Sequence, residues 1–121
     1  MNIESYKDLI IWQKSMDMVQ LIYRQTKSFP NDERFGLVSQ LRRAAVSVPS
    51  NIAEGYGRNS TQDYIRFLRI AIGSLCEVQT QLEIAFRENY MKKNEFAIIS
   101  NLVTEIEKMT ISLVKKLGTR Q

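Results

Sequence analysis

With 121 residues, 44% of them hydrophobic and 25% charged, the chain is sized for one domain, and its five Gly and two Pro are too few turn-formers for a many-stranded sandwich. It contains no His and a single cysteine, Cys76, which excludes a histidine general base, Ser-His and Cys-His pairs, His-containing metal sites, an intrachain disulfide and a cysteine-held metal cluster. The net charge of +4 is mild, lies mostly towards the C-terminal end, and forms nothing like a histone tail.

Four segments carry helical periodicity. In the first, Leu9, Trp12, Met16, Val19 and Tyr23 recur at alternating steps of three and four, which predicts a helix over 6–28 with these residues on its inner face. Phe29-Pro30-Asn31-Asp32 ends it, since Pro30 disfavours helical geometry at the residue before it. The second helix, 33–57, places Val38, Leu41, Ala45, Val48 and Ile52 on one seam up to Gly55-Tyr56-Gly57. Pro49 falls inside it, so a kink near residues 45–49 or a break into two shorter helices is expected.

Ser60 followed by Asp63 starts the third helix, 61–89, because the hydroxyl can satisfy a free amide and the acid sits at the positive end of the dipole. Its seam is Tyr64, Leu68, Ala71, Leu75, Val78, Leu82 and Ala85. The fourth, 92–117, carries Ile99, Leu102, Ile106, Met109 and Leu113 and stops at Gly118. Four helices of similar length on short connections predict an all-α fold, an antiparallel up-down-up-down four-helix bundle forming a single domain over 1–121.

Two features exceed what a lone bundle needs. From Tyr64 to Ile72, seven of nine residues are apolar, so Ile65 and Ile72 on the outer face suggest burial against a second copy of the chain, a deeply packed helix centre being the plainer explanation. Helix two also carries a small, polar stripe, Ala44, Ser47, Asn51, Glu54 and Arg58, which either holds register between packed helices or is a solvated face.

Between Arg34 and Arg69 every positive charge is arginine, six in all, the residue suited to bidentate phosphate or carboxylate recognition. Arg42, Arg43, Arg58, Arg66 and Arg69 are the candidate contacts for nucleic acid or a partner, with Asn51 and Glu54 organising them. Alternatively they are internal bridges: in a hairpin turning near residue 58, Arg42 and Arg43 face the level of Glu77, and Arg58 and Arg66 lie near Glu54. Cys76 reads as a small packing group and Met16, Met18, Met91 and Met109 as core filler. Met1 to Lys7 lacks the basic-then-apolar order of a signal peptide, and no stretch approaches the ~20 apolar residues of a membrane span, so a cytoplasmic setting without a membrane partner is expected.

Trp12-Gln13-Lys14, Phe29-Pro30 with Glu33, the long block Gln40-Leu41-Arg42-Arg43-Ala44-Ala45-Val46-Ser47-Val48-Pro49-Ser50-Asn51-Ile52-Ala53-Glu54-Gly55, Gly57-Arg58, and Ala71-Ile72-Gly73-Ser74-Leu75 with Glu77 give the chain a family likeness. It resembles the four-helix-bundle proteins encoded in intervening sequences of bacterial 23S ribosomal RNA genes, over about residues 8 to 117, with helix four matching in pattern alone. The resemblance implies an up-down bundle that assembles into a ring, a pentamer in known relatives. It also implies distant kinship with the accessory proteins of diversity-generating retroelements, similar pentamers that bind a reverse transcriptase and nucleic acid. It supplies no established activity.

The expectation is therefore a non-enzymatic homo-oligomer, a pentamer, that binds structured RNA or a nucleic-acid-processing protein through arginines and carries no metal or cofactor. A protein-protein adaptor or scaffold with no nucleic-acid binding is the first alternative. An enzyme using Glu54 is the second.

Overall fold

Ser5 and Asp8 decide where the first helix begins. Asp8 Oδ2 accepts the amides of Glu4 at 2.9 Å and Ser5 at 3.1 Å, and Ser5 Oγ accepts the Lys7 amide at 3.1 Å, closing a capping box over a 3-10 turn at Tyr6–Asp8. Leu9 then turns extended (φ −73, ψ 126), so α1 runs Ile10–Thr26 rather than from residue 6. The computed structural model describes residues 3–119.

A second 3-10 turn, Asn31–Glu33, precedes α2, Leu37–Tyr56, where the sequence predicted helix from residue 33. Pro49 lies inside α2, which continues as one helix, so the break into two shorter helices does not occur and no kink is confirmed there. Its neighbours explain the continuity: Leu41, Ala45, Val48 and Ile52, on both sides of the proline, are all fully buried and hold the chain in line.

The third helix, α3, spans Thr61–Arg87 and is capped by Ser60, whose Oγ accepts the Asp63 amide at 3.1 Å as the sequence indicated. Asn89 ends it in the left-handed region (φ 63). The Tyr90 amide reaches Ala85 O at 2.9 Å and the Asn89 amide Phe86 O at 3.0 Å, the paired bonds of a Schellman stop with asparagine in glycine's usual place. The last helix, α4, covers Lys93–Gly118, with the Lys92 amide donating to Glu95 Oε1 at 3.1 Å.

Each helix packs on its chain neighbours and α1 closes on α4, with no diagonal packing among the described residues. The fold is thus all-α, an antiparallel bundle whose core is the seam of α2 with that of α3, Met18 and Ile22 of α1, and Ile99, Val103 and Ile106 of α4. The inner face of α1 differs from the predicted one: Ile11, Ser15, Met18, Ile22 and Thr26 are buried, whereas Met16 and Tyr23 are each 39% exposed and Trp12 and Val19 half-buried. Buried hydroxyls make that face possible, because Ser15 Oγ donates to Ile11 O at 2.6 Å and Thr26 Oγ1 to Ile22 O at 2.7 Å, leaving neither unpaired.

The closest pair is α2 and α3. A β-carbon on Gly55 would stand 2.8 Å from Phe67 Cβ, so glycine there lets the two backbones meet. Further along the same seam Ser47 Oγ and Ser74 Oγ share a hydrogen bond at 2.9 Å, and Asn51 Nδ2 donates to Ser47 O at 2.8 Å and Ser47 Oγ at 2.9 Å.

Candidate nucleic-acid interface

The five candidate arginines do not form one cluster. Arg42 and Arg58 are separated by sixteen residues of chain, almost all of it within α2, which is about 24 Å at 1.5 Å per residue. They stand near opposite ends of the bundle.

Arg42 turns towards α1. Its Nε donates to Thr26 Oγ1 at 2.8 Å, its Nη2 to Tyr23 O at 3.3 Å, and its guanidinium lies 4.5 Å from the centroid of the Tyr23 ring. Tyr23 O belongs to the last turn of α1, where carbonyls lack helical partners and the dipole is negative, so a cation is well placed there. Neither Arg42 nor Arg43 bridges to Glu77; among the described residues the ion pairs are Lys14–Glu105, Arg58–Glu54, Arg66–Asp63 and Arg87–Glu83. The reason is directional: Arg42 sits on the side of α2 that faces α1, away from α3. Arg43 is exposed.

At the other end, the α2–α3 turn brings Arg58 and Arg66 onto one aromatic ring. Their guanidinium carbons lie 4.8 and 4.4 Å from the Phe67 centroid. Arg58 Nη2 also meets Glu54 Oε2 at 3.0 Å, and Arg66 Nε meets Asp63 Oδ1 at 3.4 Å. All four of these charged side chains remain substantially open to solvent, so the pairs are weak anchors and the guanidinium planes stay available. Arg69, exposed, follows Arg66 by three residues on α3. Beside this edge Tyr64 is half-buried and packs edge-on against Tyr56 at 6.1 Å; burial, then the neighbouring Tyr56, pushes its hydroxyl up to about 12.

The remaining candidates sort by location. Ser47 bonds Ser74 across α2 and α3, Asn51 bonds back to Ser47 within α2, and Glu54 is the exposed partner of Arg58. Ile65 and Ile72 are both half-buried, with Ile65 packed against the core. They share a side of α3 with Gln79, which donates to Ser100 Oγ of α4 at 2.6 Å, and with Phe86, stacked on Phe96 at 4.6 Å. Part of the apolar surplus of α3 is therefore taken up inside the bundle, while Ile70 and Ile84 stay 43% and 46% exposed. Cys76 is exposed rather than packed: its Sγ lies 3.4 Å from Glu107 Oε2, and partial desolvation, then the bond and charge of Glu107, push the thiol up.

Three surfaces escape the sequence periodicity. Trp12, Met16 and Val19 of α1 with Val46, Pro49 and Ala53 of α2 wall an apolar groove of about 350 Å³. A larger one, about 610 Å³, lies between the start of α1 and the end of α4, over Leu9, Ile10, Met109 and Leu113. Phe35, on the α1–α2 connection, is 88% exposed. The mis-phased seam of helix one is the available signal for the first: residues that the periodicity puts in the core lie outside it. Among the described residues no group of three or more Cys, Asp or Glu is placed to hold a metal ion, and no helix is long and apolar enough to cross a membrane.

Residues 7–112 match the family model described as 23S rRNA-intervening sequence protein. The chain is also similar to a solved structure from Bacteroides thetaiotaomicron, a protein with unknown function from the S23 ribosomal protein family. The two share 30% identity with a TM-score of 0.82, over 88% of this chain and 99% of that one. No curated protein matches the chain.

Proposed function

Because the chain belongs to the 23S rRNA-intervening sequence protein family, we propose that it is a non-enzymatic, self-associating helical module that binds structured RNA or a nucleoprotein partner through arginines. The observation that carries the reading is the Arg58–Phe67–Arg66 edge, two solvent-open guanidinium planes set on one ring with Arg69 a turn further on. Planar cations offer phosphate a bidentate fork and unpaired bases a stacking face. The local acids Glu54 and Asp63 are weak partners that yield to a polyanion at little cost, since exposed pairs contribute only about 0–1 kcal/mol.

Self-association draws support from the α1–α2 face. Met16 and Val46, each 39% exposed, with half-buried Trp12 and Val19 form an apolar strip that one bundle leaves partly uncovered, and a ring of five, as the family resemblance implies, would cover it and repeat each arginine edge five times. This same strip favours the second reading, a protein-protein adaptor that binds no nucleic acid.

Salt separates the two. RNA binding should weaken steeply between low and physiological salt, and Arg58→Ala with Arg66→Ala should reduce the slope of log K against log salt by about one for each phosphate left unneutralised. Absence of binding, or a slope unmoved by the double substitution, leaves the adaptor. Sedimentation of the unmodified protein tests the assembly, and a monomer at high concentration would remove it.

A further inference from the structure

Two phenylalanines on the α1–α2 connection have opposite fates. Phe29 is 6% exposed and lies against Tyr90 with ring centroids 5.4 Å apart, whereas Phe35 is 88% exposed, the most exposed large apolar side chain among the described residues. The turn that carries Phe35 is built rather than slack. Glu33 Oε1 accepts the Leu37 amide at 3.2 Å and Glu33 Oε2 accepts the Tyr90 hydroxyl at 2.9 Å, tying the turn both to α2 and to the α3–α4 connection. The Gly36 amide donates to Glu33 O at 3.1 Å, and a β-carbon on Gly36 would stand 2.9 Å from Glu33 Oε1.

A cation stands against the ring, on a turn that also carries Asp32 and Glu33. The Arg34 guanidinium lies 5.4 Å from the Phe35 centroid, and Arg34 also lines a groove of about 260 Å³ with Lys27, Arg42, Thr26 and Asn31. No carboxylate lines that groove. Of the two acids on the turn, Glu33 is committed to Tyr90 and Leu37, and Asp32 is exposed beside it.

We infer that this end of the bundle binds single-stranded nucleic acid, an unpaired base stacking on Phe35 while Lys27, Arg34 and Arg42 meet the phosphates to either side. A rigidly presented aromatic ring flanked by cations is what a splayed base with its charged backbone requires. A protein partner fits less well, because the three charged residues lining the groove are all cations and, of its apolar ones, Phe29 and Val38 are nearly buried, leaving Pro30 for an apolar side chain to pack on. The inference rests on the RNA-binding reading above and adds a point of attachment at the opposite end of the bundle from Arg58 and Arg66.

The test titrates the full chain against an end-labelled, unstructured oligouridine by fluorescence anisotropy at low and physiological salt. Phe35→Ala should weaken binding about 5- to 150-fold, the usual range for removing one base-aromatic stack, and leave the salt slope unchanged because every phosphate keeps its cation. Phe35→Tyr should keep most of the affinity, and Lys27→Ala should lower the slope by about one. If Phe35→Ala binds as the parent does while Arg58→Ala with Arg66→Ala abolishes binding, this inference falls and the arginine-edge reading stands. If the parent binds no RNA at either salt, both fall. Polyglutamate displacing the oligouridine equally well from parent and Phe35→Ala would identify an acidic protein surface as the ligand and overturn the inference.

Discussion

Replacing Gly55, the penultimate residue of α2, and Gly73, inside α3, by alanine makes one chemical change at two helical positions, and the two should move stability in opposite directions. Alanine is favoured over glycine inside a helix by roughly 0.5–1 kcal/mol. At Gly73 in α3 an added β-carbon meets nothing within 4 Å, so the propensity gain is all there is, and Gly73→Ala should stabilise by about that amount. At Gly55 the added carbon would stand 2.8 Å from Phe67 Cβ, 3.1 Å from Tyr64 Cδ1 and 3.2 Å from Tyr64 O. Phe67 Cβ and Tyr64 O move only with the backbone of α3, so relief means prising α2 from α3 along a seam that includes the Ser47–Ser74 bond. Overpacking of this kind costs about 1–3 kcal/mol, and subtracting the propensity gain leaves a net loss of roughly 0–2.5 kcal/mol, about 1 kcal/mol at mid-range. Urea unfolding followed by circular dichroism, at matched concentration because assembly would shift the midpoint, should resolve the difference. Thermal midpoints should differ by roughly 10 °C for a domain of this size. Two stabilised variants, or two unchanged ones, would refute the close approach of α2 and α3.

Arg42→Ala should lower stability by about 2 kcal/mol, the sum of two partly exposed hydrogen bonds and one cation-aromatic contact, while Arg43→Ala, one residue on and exposed, should stay within about 0.5 kcal/mol. Equal effects in chemical denaturation would show that Arg42 does not cap α1. Because the Cys76 thiol is pushed up by partial desolvation and then by Glu107, its thiolate is scarce at neutral pH; alkylation by iodoacetamide should rise only above the ordinary thiol range. Glu107→Gln should bring the rate profile back towards lower pH. An unperturbed profile in the parent would remove the Cys76–Glu107 contact.

The sequence disclosed the number of helices, their order and the inner faces of α2 and α3, since apolar residues recur there at unbroken steps of three and four. Helix one misleads because its true inner face contains Ser15 and Thr26. A pattern that counts only apolar residues skips hydroxyls whose hydrogen bonds close onto their own helix, and slides to the stripe of Trp12 and Val19 beside them. Internal bridging by arginine is legible at Arg58, where the partner is a local i,i+4 acid, and illegible at Arg42, whose partners come from another helix and are not acids. Phe35 and Phe67 give no signal because single aromatics carry no period. Their roles arise only when a turn places one in solvent and two arginines on the other.

The closing of α1 onto α4 has a kinetic consequence. Every other packing surface joins segments consecutive in the chain, so three hairpins can zip locally, and one search over a long loop remains to complete the ring of helices. That final seam is tied, among the described residues, by the exposed Lys14–Glu105 pair at 3.2 Å. Unfolding should therefore start by parting the first helix from the last, and amides along that line should exchange with solvent before those between the second and third.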